Sequence, residues 1–183
     1  MEQKKLPFNF EATQNLNHLF KCEKLDFAKI KQEVFKGADV NTIIDEKENL
    51  SPLLIAISKQ QAPIAYFLLC YGASPTHFNS RGQDCLEYAI LTGQTELAKI
   101  LLNLGAKPNR YNVYGETVLN LAVKLGNVEI VKSLIKRGAD VNMPSLKVKL
   151  TPLKIAKGKG FNEIEKILKS SGAKEVKDME LCM

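Results

Sequence analysis

The chain has 183 residues, 45% hydrophobic and 25% charged, and its 26 Lys and Arg outweigh 20 Asp and Glu for a net charge of +6. That balance is ordinary for a globular chain able to bury a core, and the longest apolar run, residues 64–70, is far short of the roughly 20 residues a spanning helix needs. Of the 26 cations 23 are Lys and only three are Arg (Arg81, Arg110 and Arg137), which favours solubility over bidentate readout of phosphate or guanine.

The opening residues place Asn9, Glu11, Gln14, Asn15 and Asn17 where an export signal needs an apolar stretch. Met1-Glu2 does not fit myristoylation, and Cys182 is not fourth from the end as prenylation requires. Cys22, Cys70, Cys85 and Cys182 form no CxxC pair. We expect unbridged thiols in a reducing, cytoplasmic setting, with Cys70 and Cys85 acting as small buried hydrophobes.

In chain order, Leu16, Leu19 and Phe20 mark an irregular first helix, with polar Asn15, Asn17 and Lys21 beside them. Phe27, Ile30, Val34 and Phe35 recur at helical spacing and stop at Gly37. Ser51-Pro52 can cap and open the next helix, and residues 64–70 form another that ends at Gly72. The pattern is clearest from Gly115 to Asn142. There Thr117 can cap a helix with Leu119, Leu121 and Ala122 on its inner face, and Asn127 can cap a second with Ile130, Val131, Leu134 and Ile135, before Gly138. Helices of about nine residues are too short to stand alone in water, so each pair needs neighbours.

The closing glycines Gly37, Gly72, Gly105, Gly138 and Gly172 are separated by 35, 33, 33 and 34 residues. Leu53, Leu86, Leu119 and Leu153 keep the same register, and Ala56, Ala89, Ala122 and Ala156 follow three residues later, small enough for close helix approach. Ser51-Pro52-Leu53-Leu54, Thr151-Pro152-Leu153-Lys154 and Thr117-Val118-Leu119-Asn120 are similar to the Thr-Pro-Leu-His start of ankyrin repeats. Gly37-Ala-Asp-Val-Asn41 and Gly138-Ala-Asp-Val-Asn142 match the repeat ending, Gly82 and Gly115 the turn glycine, and Gly93, Gly126 and Gly160 the inter-helix glycine. Over residues 25–173 the chain therefore resembles the ankyrin-repeat family.

The resemblance implies an all-α solenoid of paired short antiparallel helices with β-hairpin fingers. It implies an N-terminal arm (1–10) and a single repeat domain (11–173) with an N-terminal cap over 11–41, repeats over 46–76, 79–109 and 112–142, and a C-terminal cap over 146–173. Residues 174–183 are then expected to be a flexible tail. The family histidine is replaced by Leu54, Glu87, Asn120 and Lys154, and Asn120 is the one candidate to restore its bond to the capping Thr. Asp84-Cys85 stand for Thr-Pro and Gln60 for the inter-helix Gly, so the second full repeat is expected to be the least regular.

Catalysis and metal binding find little support. His18 and His77 lie without neighbouring ligands, and no GxxxxGK[ST], GxGxxG or HExxH motif occurs. Gly158-Lys159-Gly160 occupies the ordinary inter-helix turn. We expect no enzyme, no cofactor, no metal and no small-molecule substrate.

The family implies that partners meet the fingers and the exposed side of the first helices, a concave face. Transferred onto this chain, that face includes Leu50, Arg81, Gln83, Leu91, Val113, Tyr114, Lys124, Leu125 and Lys147. Val113 and Tyr114 are the expected centre, with Arg81, Lys124 and Lys147 at the rim. Function is then a protein-interaction module for a partner with an apolar patch and an acidic border, the chain itself being monomeric, with a bacterial effector delivered into a host cytosol as one form of that reading. The alternative is an anionic-surface or nucleic-acid binder using the lysines of residues 147–169. The run Leu134 to Asn142 is also similar to the asparagine-hydroxylation sites of ankyrin repeats, with Asn142 the target.

Overall fold

A computed structural model describes residues 7–175. Among them ten helices follow in five pairs: α1 (Phe10–Lys21) and α2 (Phe27–Phe35), α3 (Pro52–Ser58) and α4 (Ala62–Cys70), α5 (Cys85–Leu91) and α6 (Thr95–Asn103), α7 (Val118–Leu125) and α8 (Val128–Lys136), α9 (Pro152–Gly158) and α10 (Asn162–Ser170). The chain groups into two compact units that meet in sequence between Cys85 and Leu86, inside α5.

Local chemistry sets the helix bounds. Side chains of Asn9, Asp26, Ser51, Thr117, Asn127 and Thr151 each accept a backbone N–H three residues on, which satisfies one orphan donor of the first turn. Each second helix ends alike. The N–H groups of Ala38, Ala73, Ala106, Ala139 and Ala173 reach back to the carbonyls of Glu33, Leu68, Leu101, Leu134 and Leu168, at 2.9 to 3.1 Å, around a left-handed glycine.

In the first unit α1 packs on α2 and α3, and α3 on α4. Its core holds Leu16, Phe20, Ile30, Leu53, Leu54, Ile57, Ile64 and Leu68, all nearly or fully buried. The first helix is irregular in sequence yet is the longest, at 12 residues, because Asn9 caps it early and Ala12, Leu16 and Phe20 bury one stripe. The second unit stacks α7 on α8 and α9, and α8 on α6 and α10. Leu119, Ala122, Val123, Ile130, Val131, Leu134, Leu153, Ala156, Ile164 and Leu168 form its centre.

The fingers differ from the expected hairpins. Among the described residues β-pairing is confined to three isolated bridges, Asp45 with Leu50, Phe78 with Asp84 and Tyr111 with Thr117. A side chain closes each turn instead. Asp45 Oδ1 accepts the N–H groups of Lys47 and Glu48, Asn79 Oδ1 those of Arg81 and Gln83, and Asn112 Oδ1 those of Tyr114 and Glu116. Nor is the second full repeat irregular in its first helix. With Cys85 at its first position α5 still has seven residues, as α3 and α9 do. Gln60 keeps the turn after α3 by adopting φ +56.

Cys85 is buried, but Cys22 and Cys70 are exposed. Cys70 thus departs from the expected buried position, because it lies on a side of α4 that no neighbouring helix covers. Cys182 and residues 176–183 of the expected tail lie outside the described residues, as do residues 1–6 of the arm. Lys174 and Glu175, the first residues of that tail, are both held: Lys174 N–H donates to Asn142 Oδ1, and Glu175 pairs with Lys157.

Candidate binding surface

The third finger is built by Asn112. Its Oδ1 takes the N–H groups of Tyr114 and Glu116 at 3.0 Å each, and its Nδ2 donates to the buried Glu87 carboxylate at 2.7 Å. That anchoring leaves Val113 and Tyr114 at the tip, 57% and 49% exposed. The fourth finger is closed by Ser145, whose N–H donates to the Leu150 carbonyl and whose hydroxyl accepts the Leu150 N–H. Leu146 N–H also donates to the Gly115 carbonyl at 2.8 Å, so the two fingertips lie side by side. The approach is close enough that a Cβ on Gly115 would sit 2.8 Å from the Leu146 Cβ.

The result is a joined apolar strip of Val113, Tyr114, Leu146 and Val148, the last two 48% and 59% exposed. Leu146 was not among the residues expected at this surface, and Val148 was not expected at its centre. The alternation Leu146-Lys147-Val148-Lys149-Leu150 carried a signal, but the contact with Gly115 depends on how the fingers dock.

Charge frames the strip. Lys147 Nζ stands 5.8 Å from the Tyr114 ring centroid, and Lys124 Nζ bonds Glu116 in the third finger. From Val141 to Asn162 the chain has Lys147, Lys149, Lys154, Lys157 and Lys159 and no acid. Lys149 holds φ +52 at the register position where the second and third fingers have Gly82 and Gly115. A lysine costs about 1 kcal/mol or more there than it would in an ordinary backbone region.

Leu91 and Leu125, at the ends of α5 and α7, are exposed as expected. Leu50, Arg81 and Gln83 belong to the first unit. Leu50 is only half-exposed and bridges to Asp45; Arg81 Nε lies 3.7 Å from Glu48; Gln83 is bonded through its backbone to Asn79. The Asn120 side chain does not bond the Thr117 hydroxyl. Its Nδ2 reaches the Met143 carbonyl of the next finger at 3.5 Å, while Thr117 is occupied in capping α7.

Asn142 Nδ2 donates to the Gly172 carbonyl, and its Oδ1 accepts the Lys174 N–H. Asn41 and Asn109 make the equivalent pair of bonds one repeat on. Among the described residues no group of three or more His, Cys, Asp or Glu is placed to hold a metal, and no helix is long and apolar enough to cross a membrane. Cys85, the buried thiol, has its pKa pushed far above the ordinary range by burial and then by Asp84, so it is a poor nucleophile.

A family model described as ankyrin repeats, in three copies, matches residues 21–112 and 79–145. This covers well over half of the chain, and with the stacked helix pairs and their shared closing turn it shows that the chain belongs to the ankyrin-repeat family. A comparison with curated proteins finds no match.

Proposed function

We propose that the chain is a non-enzymatic protein-interaction module that binds its partner through the joined third and fourth fingertips. Ankyrin repeats generally mediate protein–protein interaction, and the observation that carries this assignment to a place is the exposed strip of Val113, Tyr114, Leu146 and Val148. Four large apolar side chains at loop tips gain nothing in water, whereas at an interface an aromatic anchor with apolar neighbours supplies most of the binding energy. Lys147 and Lys149 beside the strip favour an acidic border on the partner. The exposed thiols of Cys22 and Cys70 suit a reducing compartment.

The test is binding to an isolated partner, with Tyr114→Ala and Val148→Asp measured beside the parent chain. Both substitutions should weaken binding at least tenfold, and equal affinity would place the site elsewhere. The five lysines between Lys147 and Lys159 support a second reading, an anionic surface. Fluorescent duplex DNA would then bind and lose orders of magnitude in affinity between about 50 and 200 mM salt. No DNA binding at the lower salt retires that reading.

A further inference from the structure

The second helices show their solvent side differently in the two units. In the second unit α6, α8 and α10 carry Glu and Lys three residues apart, at Glu96 and Lys99, Glu129 and Lys132, Glu163 and Lys166. Ion pairs join neighbouring helices there, Lys99 to Glu129 at 3.2 Å and Lys132 to Glu163 at 3.1 Å. At the same register α4 has Pro63 and Tyr66, and from Ala62 to Cys70 it has no charged residue at all.

Aromatic rings take the place of those ion pairs. Phe67 meets Phe27 at 5.6 Å, Phe35 at 5.9 Å and Tyr71 at 4.5 Å, and Phe35 meets Tyr71 at 5.6 Å. The rings join α2 to α4, yet Phe35 stays 53% and Tyr71 42% exposed, beside exposed Cys70. Holding the two helices together explains the buried part of this cluster and not the part left in water, because the ion pairs of the second unit link helices without exposing apolar area. Contiguous exposed aromatic surface of this kind marks a contact.

We propose that this aromatic face of α2 and α4 is a twofold contact between two copies of the chain, with α4 on the axis. On a twofold axis each side chain meets its own copy, so any Lys or Glu near it faces a like charge. Among the second helices α4 alone is free of charge and so can meet itself without repulsion. The cations of α2 already have local partners. Lys29 lies 3.5 Å from Asp26, Lys36 lies 2.7 Å from Glu33, and Lys31 stands 4.7 Å over the Phe27 ring. A charge-bearing partner would find nothing on α4 to complement, whereas a second neutral aromatic face matches it. The contact uses none of the fingertip residues and replaces the monomer expected from sequence.

Sedimentation equilibrium of the full chain in reducing buffer, from micromolar concentration upward, tests this. The parent should show a concentration-dependent monomer–dimer equilibrium. Because the axis presents each change twice, Tyr71→Lys and Phe35→Glu should each raise the dimer dissociation constant by about a hundredfold or more. Tyr114→Ala should leave it unchanged. With Cys22 and Cys182 changed to Ser, a short bismaleimide should link Cys70 of one copy to Cys70 of the other, and circular dichroism would confirm that each variant is folded. A monomeric mass at every concentration, a dimer that survives both charge substitutions, or a dimer that does not cross-link through Cys70 would each overturn the proposal.

Discussion

Gln60 turns left-handed at φ +56 between α3 and α4, where Gly93, Gly126 and Gly160 make the corresponding turns. A side chain with a Cβ is strained there, so Gln60→Gly should raise stability by about 1 kcal/mol despite the entropy a glycine adds to the unfolded chain. Urea unfolding of the two proteins checks it, and an unchanged or lowered midpoint would show the turn to be unstrained. Thiol chemistry gives a second residue-scale test. Cys22 and Cys70 should alkylate readily in the native protein, while Cys85 should react only on unfolding, because its thiolate is disfavoured and its sulfur buried. Peptide mapping after brief iodoacetamide treatment separates the three. The departure at Gln60 was legible because the register isolates one position. The exposure of Cys70 was not, since an apolar helix reads as buried on all sides unless its neighbours are known.

Among elements, the helix pairs were the most legible feature, since four glycine intervals and a Leu-Ala register fix where each begins and ends. Leu134 in α8 is fully buried, and Leu134→Ala should open a cavity and cost roughly 2 to 5 kcal/mol, measured by chemical denaturation. A cost below about 1 kcal/mol would mean that the stack is loosely packed there. Asn109 ties its own repeat to the next through Gly138 and Asp140, so Asn109→Ala removes two hydrogen bonds at once and should cost about 1 to 3 kcal/mol. The length of α1 and the single-bridge fingers were not legible. Repeat resemblance is weak in α1 although its cap and buried stripe are good, and a side chain that closes its own turn leaves strand pairing little to add.

At the scale of the whole molecule, the family and the type of function were readable from the sequence, whereas the binding surface was readable only in part. Val113 and Tyr114 stood out as apolar residues in a turn. Their joining with Leu146 and Val148 depends on a backbone bond between fingers and on the absence of a side chain at Gly115, which no spacing reveals. Gly115→Ala should therefore push the fourth fingertip away, weakening partner binding while leaving the helical circular dichroism unchanged. The most direct measurement of the central claim is site-specific photo-cross-linking in cells, with a benzophenone side chain at position 148 and, as control, at exposed position 166 on α10. The account predicts a discrete adduct with another protein from position 148, none from position 166, and loss of the adduct when Tyr114 is changed to Ala. An adduct from 166 and none from 148, or one from 148 indifferent to Tyr114→Ala, would contradict it.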